Sequence, residues 1–462
     1  MEHLGTLDAG FLMAEDSDRH VSLAIGGIAI VDGSPPDDRT FKRILAERIT
    51  AIPRFVQMLR MQPFDVGAPA WVEDPDFDLS RHVRRIGVPR PGDDSELYRV
   101  VADVLERRLD RDRPLWECWL IEGLAGNRWA ILMKIHHCMA DGVSATHMLT
   151  RLCDDLGEAN SVNRVRPKST GAARPYLHAV PEPTTPNMVE RLWRTATSTV
   201  NAANRVVSGA AEIATGLVRP TAGSSLVGPV TTMRRYRAVR VGLADVEKVC
   251  CKFDVSVNDV VLSAITDGFR EVLLHRGEHP RADSLRTLVP VSIRSSDAVH
   301  QPGNRISVML PYLPVEQADP IQQLRIVHSR LTRAKQGGQR QAGTLFVSAA
   351  NFIPFMVSSW AIRLLTRLPQ RGIVTLATNV PGPRQPLRMM GHQVLRLMPI
   401  PPIALQLRTG VAVLSYGEDL VFGITADYDT GPDIDELADG IARAVERLAA
   451  VSDDSLLLFA AE

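Results

Sequence analysis

The chain has 462 residues, too many for one compact core and enough for two domains. It is 45% hydrophobic and 23% charged, a globular composition that excludes a largely disordered chain. Lysines plus arginines and aspartates plus glutamates number 53 each, so there is no global basic field and nucleic acid is not expected as the main partner, although a local basic patch could meet an acidic ligand.

In chain order, Ser22 to Val31 reads as a strand and Asp38 to Ile52 as an amphipathic helix that stops before Pro53. Ser95 to Leu109 carries helical spacing at Leu97, Val100, Val101, Val104 and Leu105. Trp116 to Ile121 and Trp129 to Ile135 read as strands joined by the turn Gly123-Leu124-Ala125-Gly126-Asn127, and Gly142 to Leu156 as the helix that follows. Asn160 to Asn187 then gathers Pro, Arg, Ser and Thr, a linker signature, and Met188 to Leu217 reads as a helix crossing between domains. A second α/β region begins near Tyr236. Its expected helices are Leu243 to Phe253, Val257 to Arg276, Leu324 to Lys335 and Ile434 to Val451. Its expected strands are Ser284 to Val291, Arg305 to Leu313, Ile373 to Asn379, Gly410 to Ser415 and Leu420 to Asp427. The expected division is an N-terminal domain over 1–157, a linker and crossover helix over 158–235, and a C-terminal domain over 236–462. Two α/β halves with a site between them is the simplest architecture.

The cysteines are Cys118, Cys138, Cys153, Cys250 and Cys251. Their odd number and the lack of a CxxC pair fit thiols in a reducing cytoplasm better than disulfides or a zinc site. Met1 to Asp8 has neither a basic nor a long apolar stretch, so a secretory signal is not expected. Gln341 to Ile362 lacks charge and approaches the ~20 residues that span a bilayer. Pro354 and the polar Ser348, Asn351, Ser358 and Ser359 interrupt it. The segment is expected to pack inside the protein or to line an apolar channel, with contact to a membrane surface as the alternative to a span.

His136-His137-Cys138-Met139-Ala140-Asp141-Gly142 ends the apolar strand and carries the chemistry. Histidine titrates close to neutral pH, so it can take a proton and return it. Adjacent strand residues point to opposite faces, so His136 and His137 should not share a task or a metal. Asp141 can hold the loop, and Gly142 can take backbone angles that a side chain would forbid. No second His/Cys/Asp cluster offers the other ligands of a metal. There is no Gly-x-Ser-x-Gly elbow, and Cys138 has no geometric reason to attack. One active base beside one structural histidine, working by direct transfer to an acceptor hydroxyl, is the better account. A general base contributes roughly 10²–10⁴ in rate, and the oxyanion needs separate donors. Taken alone, a His-His pair also fits a satisfied core histidine beside a turn.

HHxxxDG at 136–142 resembles the active-site motif of the CoA-dependent acyltransferases with the chloramphenicol-acetyltransferase-like fold. Within them the chain resembles the bacterial wax ester synthase/diacylglycerol acyltransferase family, and in particular the branch that makes triacylglycerol. The likeness includes Leu7-Asp8-Ala9-Gly10-Phe11-Leu12, Pro114-Leu115-Trp116-Glu117 and Asn258-Asp259-Val260-Val261-Leu262. It continues through Asn379-Val380-Pro381-Gly382-Pro383 and Ser415-Tyr416-Gly417 with Gly423 and Asp427, and so runs nearly the whole chain.

The resemblance implies an α/β (α+β two-layer) fold of two chloramphenicol-acetyltransferase-like domains with a channel between them. His137 would be the general base and His136 would support the strand end. Asp141, with Gly142, would orient the loop through an arginine, for which Arg294 is the candidate. Asn258 and Asp259 read either as a helix cap or as channel-facing groups. Thr378 and Asn379 read either as donors near the oxyanion or as part of a rigid turn. Pro114-Leu115-Trp116 reads as packing, with a share in the acyl entrance as the alternative. Arg330, Arg333, Lys335, Arg340 and Arg371 read as a solvated face or as a contact for CoA phosphates or anionic headgroups.

The implied activity is that of a long-chain acyl-CoA:diacylglycerol O-acyltransferase. Acyl-CoA would be a substrate, with no cofactor and no metal. The expected location is the cytoplasm, in peripheral contact with membrane or lipid droplets. A wax ester synthase using a fatty alcohol is the near rival. A condensation-type domain fed by a carrier protein is a further rival, against which the motifs after Asn258 argue. A lipid-droplet-binding protein with little activity is the third, and it would have no need of His137.

Overall fold

The computed structural model describes residues 2–50, 52–62, 67–154, 224–292, 306–336, 372–404 and 406–457. Most of the linker expected over 158–235, the apolar segment 341–362 and Arg294 lie outside the described residues.

The first half contains β1 (Glu2–His3), α1 (Thr6–Ser17), β2 (Ala24–Asp32), α2 (Asp38–Ile49), β3 (Gln57–Arg60), β4 (Ala70–Glu73) and β5 (Val83–Gly87). It continues through α3 (Asp94–Glu106), β6 (Trp116–Leu124), β7 (Arg128–His136) and α4 (Gly142–Arg151). The second half contains β8 (Arg234–Gly242), α5 (Leu243–Phe253), α6 (Val257–His275), β9 (Thr287–Ser292), β10 (Ile306–Met309) and α7 (Pro320–Gln336). It ends with β11 (Thr375–Val380), β12 (Arg388–Met389), β13 (His392–Ile400), β14 (Thr409–Tyr416), β15 (Asp419–Asp427) and α8 (Ile434–Leu457).

Among the described residues the strands form two six-stranded sheets, β12-β13-β2-β7-β6-β5 and β10-β9-β11-β14-β15-β8, and a small one, β1-β4-β3. In the first large sheet β5 and β6 run parallel, and in the second β11 runs parallel to both β9 and β14. The other ladders of these two sheets are antiparallel. The mixture of α-helices with mixed sheets is the α/β class expected.

Local chemistry accounts for the elements around the site. Asp93 caps α3, its carboxylate accepting from Ser95 N and Glu96 N, and the helix buries Leu97, Val100, Val101, Val104 and Leu105. The spacing extends that helix to Leu109, but it stops at Glu106. There Lys134, fully buried on β7, donates its ammonium to the carbonyls of Val104 and Arg107 and so satisfies orphan groups at the helix end. Burial pulls the Lys134 ammonium down to about 8.

β13 is not among the expected strands. It lies in the second half of the chain yet pairs with β2 in the first sheet. A bulge between Val394 and Arg396 breaks its alternation, and Pro399, Pro401 and Pro402 crowd its end. β5, β8, the short β1, β3, β4 and β12, and the helix α1 are also absent from the sequence reading. One core combines the first half with Leu397, Leu414 and Tyr416 of the second, another lies within the second half, and a third cluster joins Ile28, Ile30 and Leu132 of the first sheet to Tyr236 and Val421 of the second. Tyr236 donates its hydroxyl to Pro399 O at 2.9 Å across that join.

Candidate active site

β7 ends at His136, and the chain then turns through Cys138 into α4. Backbone bonds fix both histidines: His136 N donates to Leu115 O and His137 N to Leu23 O, each at 2.9 Å. The two side chains diverge. His136 is buried, and its Nδ1 accepts from Cys138 N at 3.1 Å. That bond requires an unprotonated Nδ1, so the ring proton sits on Nε2, which lies 3.5 Å from Glu15 Oε2. Glu15 is itself buried; Arg111 donates to its Oε2 at 2.7 Å and Leu23 N to its Oε1 at 3.0 Å. Burial raises the Glu15 carboxyl, but the close approach of His136 and the bonds from Arg111 and Leu23 outweigh it and hold the group at about 2.

His137 is half-buried and lines a cavity with about 1060 Å³ of empty space, part of it open to solvent. Its Nδ1 is enclosed, and its ring stacks on Phe11 of α1 with centroids 4.2 Å apart. Burial lowers the imidazole to about 4, against a small opposing pull from the Asp141 charge. The ring is therefore neutral and able to accept a proton at neutral pH.

The cavity lies where the two sheets meet. From the first sheet come Ile25, Gly27, Met133 and Ile135, and α4 adds Ala145 and Leu149. From the second sheet come Leu376, Ala412 and Leu414, and the end of β13 supplies Pro399 and Ile400. The walls are mainly apolar; the polar groups among them are His137, Asp141, Thr146, Thr378 and Asn379. Such a space suits an alkyl chain with a polar reacting end.

Of the residues singled out by sequence, the structure thus brings His137, Asp141, Gly142, Thr378 and Asn379 to one cavity. Asp141 caps α4, its Oδ1 accepting from Ser144 N at 2.9 Å. Gly142 differs from its expected role: it is not in the left-handed region. A Cβ there would lie 2.9 Å from Val380 Cγ2, so the bare glycine lets α4 approach β11. Asn258 and Asp259 are not cavity-lining among the described residues. Asp259 closes a capping box with Ser256 at the start of α6 and accepts from His328 Nδ1 at 3.0 Å. Pro114-Leu115-Trp116 is a packing element: Leu115 holds His136, and Trp116 Nε1 donates to Phe55 O at 2.8 Å. Arg330 donates to Tyr312 O at 2.7 Å, while the side chains of Lys335, Arg340 and Arg371 lie outside the described residues.

Sequence reasoning missed Glu15, Thr146 and Gly27 and gave Phe11 no role. The spacing of Phe11 and Glu15, one helical turn apart, was the available signal. Burial pushes the Cys138 thiol well above its ordinary range, which disarms it as a nucleophile. Among the described residues no three His, Cys, Asp or Glu side chains are grouped to hold a metal.

The layout is shared with solved structures. The wax ester synthase/diacylglycerol acyltransferase from Marinobacter aquaeolei VT8 matches with a TM-score of 0.67 at 24% identity, covering 98% of this chain and 100% of that one. The first condensation domain of the calcium-dependent antibiotic synthetase matches with a TM-score of 0.62 at 17% identity, covering 97% of this chain and 96% of that one. The class is therefore the two-domain fold common to these acyltransferases and condensation domains. The family is given by sequence. The model of the wax ester synthase/diacylglycerol acyltransferase catalytic domain matches residues 4–261, and that of the WS/DGAT C-terminal domain matches 302–449. A probable diacylglycerol O-acyltransferase of Mycobacterium tuberculosis is 56% identical over 456 residues, covering 98% of this chain and 96% of that protein. The chain belongs to the wax ester synthase/diacylglycerol acyltransferase family.

Proposed function

We propose that this protein is a long-chain acyl-CoA:diacylglycerol O-acyltransferase that makes triacylglycerol by direct transfer, with His137 as general base. The observation that carries the reading is a neutral histidine on the wall of an apolar cavity between two sheets. The diacylglycerol hydroxyl oxygen attacks the thioester carbonyl carbon as its proton passes to the His137 ring. The tetrahedral intermediate collapses, the carbon–sulfur bond breaks, and the proton moves from His137 to the CoA sulfur. The products are triacylglycerol and free CoA. A base held at about 4 gains affinity for the proton as negative charge develops beside it in a mainly apolar cavity.

Thr378 and Asn379 both line the cavity, and because adjacent strand residues face opposite ways we assign the oxyanion donor to one of the two side chains rather than to both. Asp141 acts through the loop it caps. Arg294 would be its partner, so R294A is expected to lower activity without unfolding the chain. The 56% identity to a protein named as a diacylglycerol O-acyltransferase supports this acceptor over a fatty alcohol. Diacylglycerol resides in membranes or droplets, so peripheral contact with such a surface belongs to the reading. Among the described residues no helix is long and apolar enough to cross a membrane.

The test is a thin-layer assay of purified protein with labelled palmitoyl-CoA and either diacylglycerol or hexadecanol. Triacylglycerol is the expected product, with H137A reduced by at least about 10²-fold. Wax ester alone would replace the acceptor, and full activity of folded H137A would remove the base. Label retained on the denatured protein would overturn direct transfer.

A further inference from the structure

We infer that Phe11 is a positioning residue for the base, its ring holding the His137 imidazole in the plane from which it can reach the acceptor hydroxyl. The inference rests on His137 acting as that base. The two rings lie 4.2 Å apart with 22° between their planes, a stacked contact. His137 follows the last residue of β7, so backbone pairing fixes its Cα but leaves the ring to rotate about the side-chain bonds. Phe11 closes one face of that rotation.

Phe11 is itself held. It packs against Ala14, Val21, Leu23, Val230 and Ala404, a small cluster built from both halves of the chain. Leu23 of that cluster accepts the backbone N–H of His137, and its own N–H binds Glu15 one turn beyond Phe11. One helix, α1, thus controls the ring of His137 through Phe11 and its backbone through Glu15 and Leu23. This gives the opening stretch Leu7 to Leu12 a task that packing alone would not require.

The same contact keeps water off the imidazole, so a pH profile reports on it. The titratable groups acting on His137 are Asp141 at the start of α4, whose charge favours the protonated ring, and His136 on the strand end, which disfavours it. Glu15 and Asp8 of α1 act on Cys138, and the cavity face of β11 brings only the uncharged Thr378 and Asn379. Removing the phenyl ring admits water and moves the imidazole from about 4 back toward 6.5.

The experiment measures triacylglycerol synthesis by the full chain, with palmitoyl-CoA and diacylglycerol, across pH for wild type, F11L, F11Y and H137A. F11L is expected to lose about tenfold in kcat while KM for palmitoyl-CoA stays within about twofold. The acid limb of its kcat/KM profile should move to higher pH. F11Y, which keeps the ring, should retain wild-type kcat and limb. An unchanged kcat and limb in F11L, or a fall in kcat with the limb in place, overturns the inference and leaves Phe11 a packing residue. Should F11L not fold, F11M takes its place with the same two outcomes. Active H137A would instead sink the base itself, whereas inactive H137A beside wild-type-like F11L sinks only the role of Phe11.

Discussion

Glu15 keeps its charge in the interior only because its partners outweigh the cost of burial. A carboxyl held below its ordinary value stabilises the fold above pH 4.5, and that contribution is lost as pH falls from 4.5 toward 2. The gap corresponds to about 3 kcal/mol. His137 has the same sign: its neutral form is favoured in the folded state, so its contribution is present above pH 6.5 and fades between 6.5 and 4. Acidification should therefore weaken the fold first through His137 and then through Glu15. In a denaturant series from neutral to acid pH, E15Q should be less stable than wild type at pH 7 and should lose stability less steeply below 4.5. Parallel curves for the two proteins would show that Glu15 is not held as described. At this scale His137, Asp141 and Gly142 were legible because they sit in one short motif at a strand end. Glu15 and Phe11 were not, because they reach the site across a long stretch of chain, and their one-turn spacing says only that they share a helix face, not what that face meets.

Most of the strands and helices with strong periodicity were legible to within about four residues, although the helix expected over Gly142–Leu156 stops at Arg151 and the one expected over Ile434–Val451 runs on to Leu457. Leu243–Phe253 has the bounds its spacing predicts, and the helix from Val257 ends one residue early. β13 was hidden by its bulge, and the end of α3 is set by Lys134, a partner on another element that helical spacing cannot foresee. β2 presents Gly27 to the cavity, where a Cβ would sit 3.1 Å from Leu149 Cδ2 of α4. Strand and helix are therefore in contact at this point, with no room for an alkyl chain between them. G27V should force Leu149, which also lines the cavity, to give way into it, and cut activity with palmitoyl-CoA by about tenfold relative to octanoyl-CoA. Adding L149A should restore the longer donor, because the same volume is returned from the facing side. Equal losses for both donors would place the acyl tail elsewhere.

The two sheets are held against each other by contacts that no single sheet contains. Tyr416 of β14 donates its hydroxyl to Val394 O of β13 at 2.7 Å and accepts from Leu387 N at 2.9 Å. Arg234, buried at the start of β8, lies beside Asp427 and donates to His20 O in the first half. The closest approach is at Gly423 of β15, where a Cβ would fall 1.8 Å from Pro399 O of β13. No side chain fits there, so G423A must push β13 away from β15. Pro399 and Ile400 also line the cavity, which couples this packing point to the site. G423A should cost about 3 kcal/mol in thermal or denaturant unfolding and lower acyl transfer with it. G87A is the matched control: Gly87 has open space around its Cβ position, so its effect should stay within about 0.5 kcal/mol. If G423A unfolds like G87A, the sheets are not pressed together at this glycine, and the cavity between them does not depend on it.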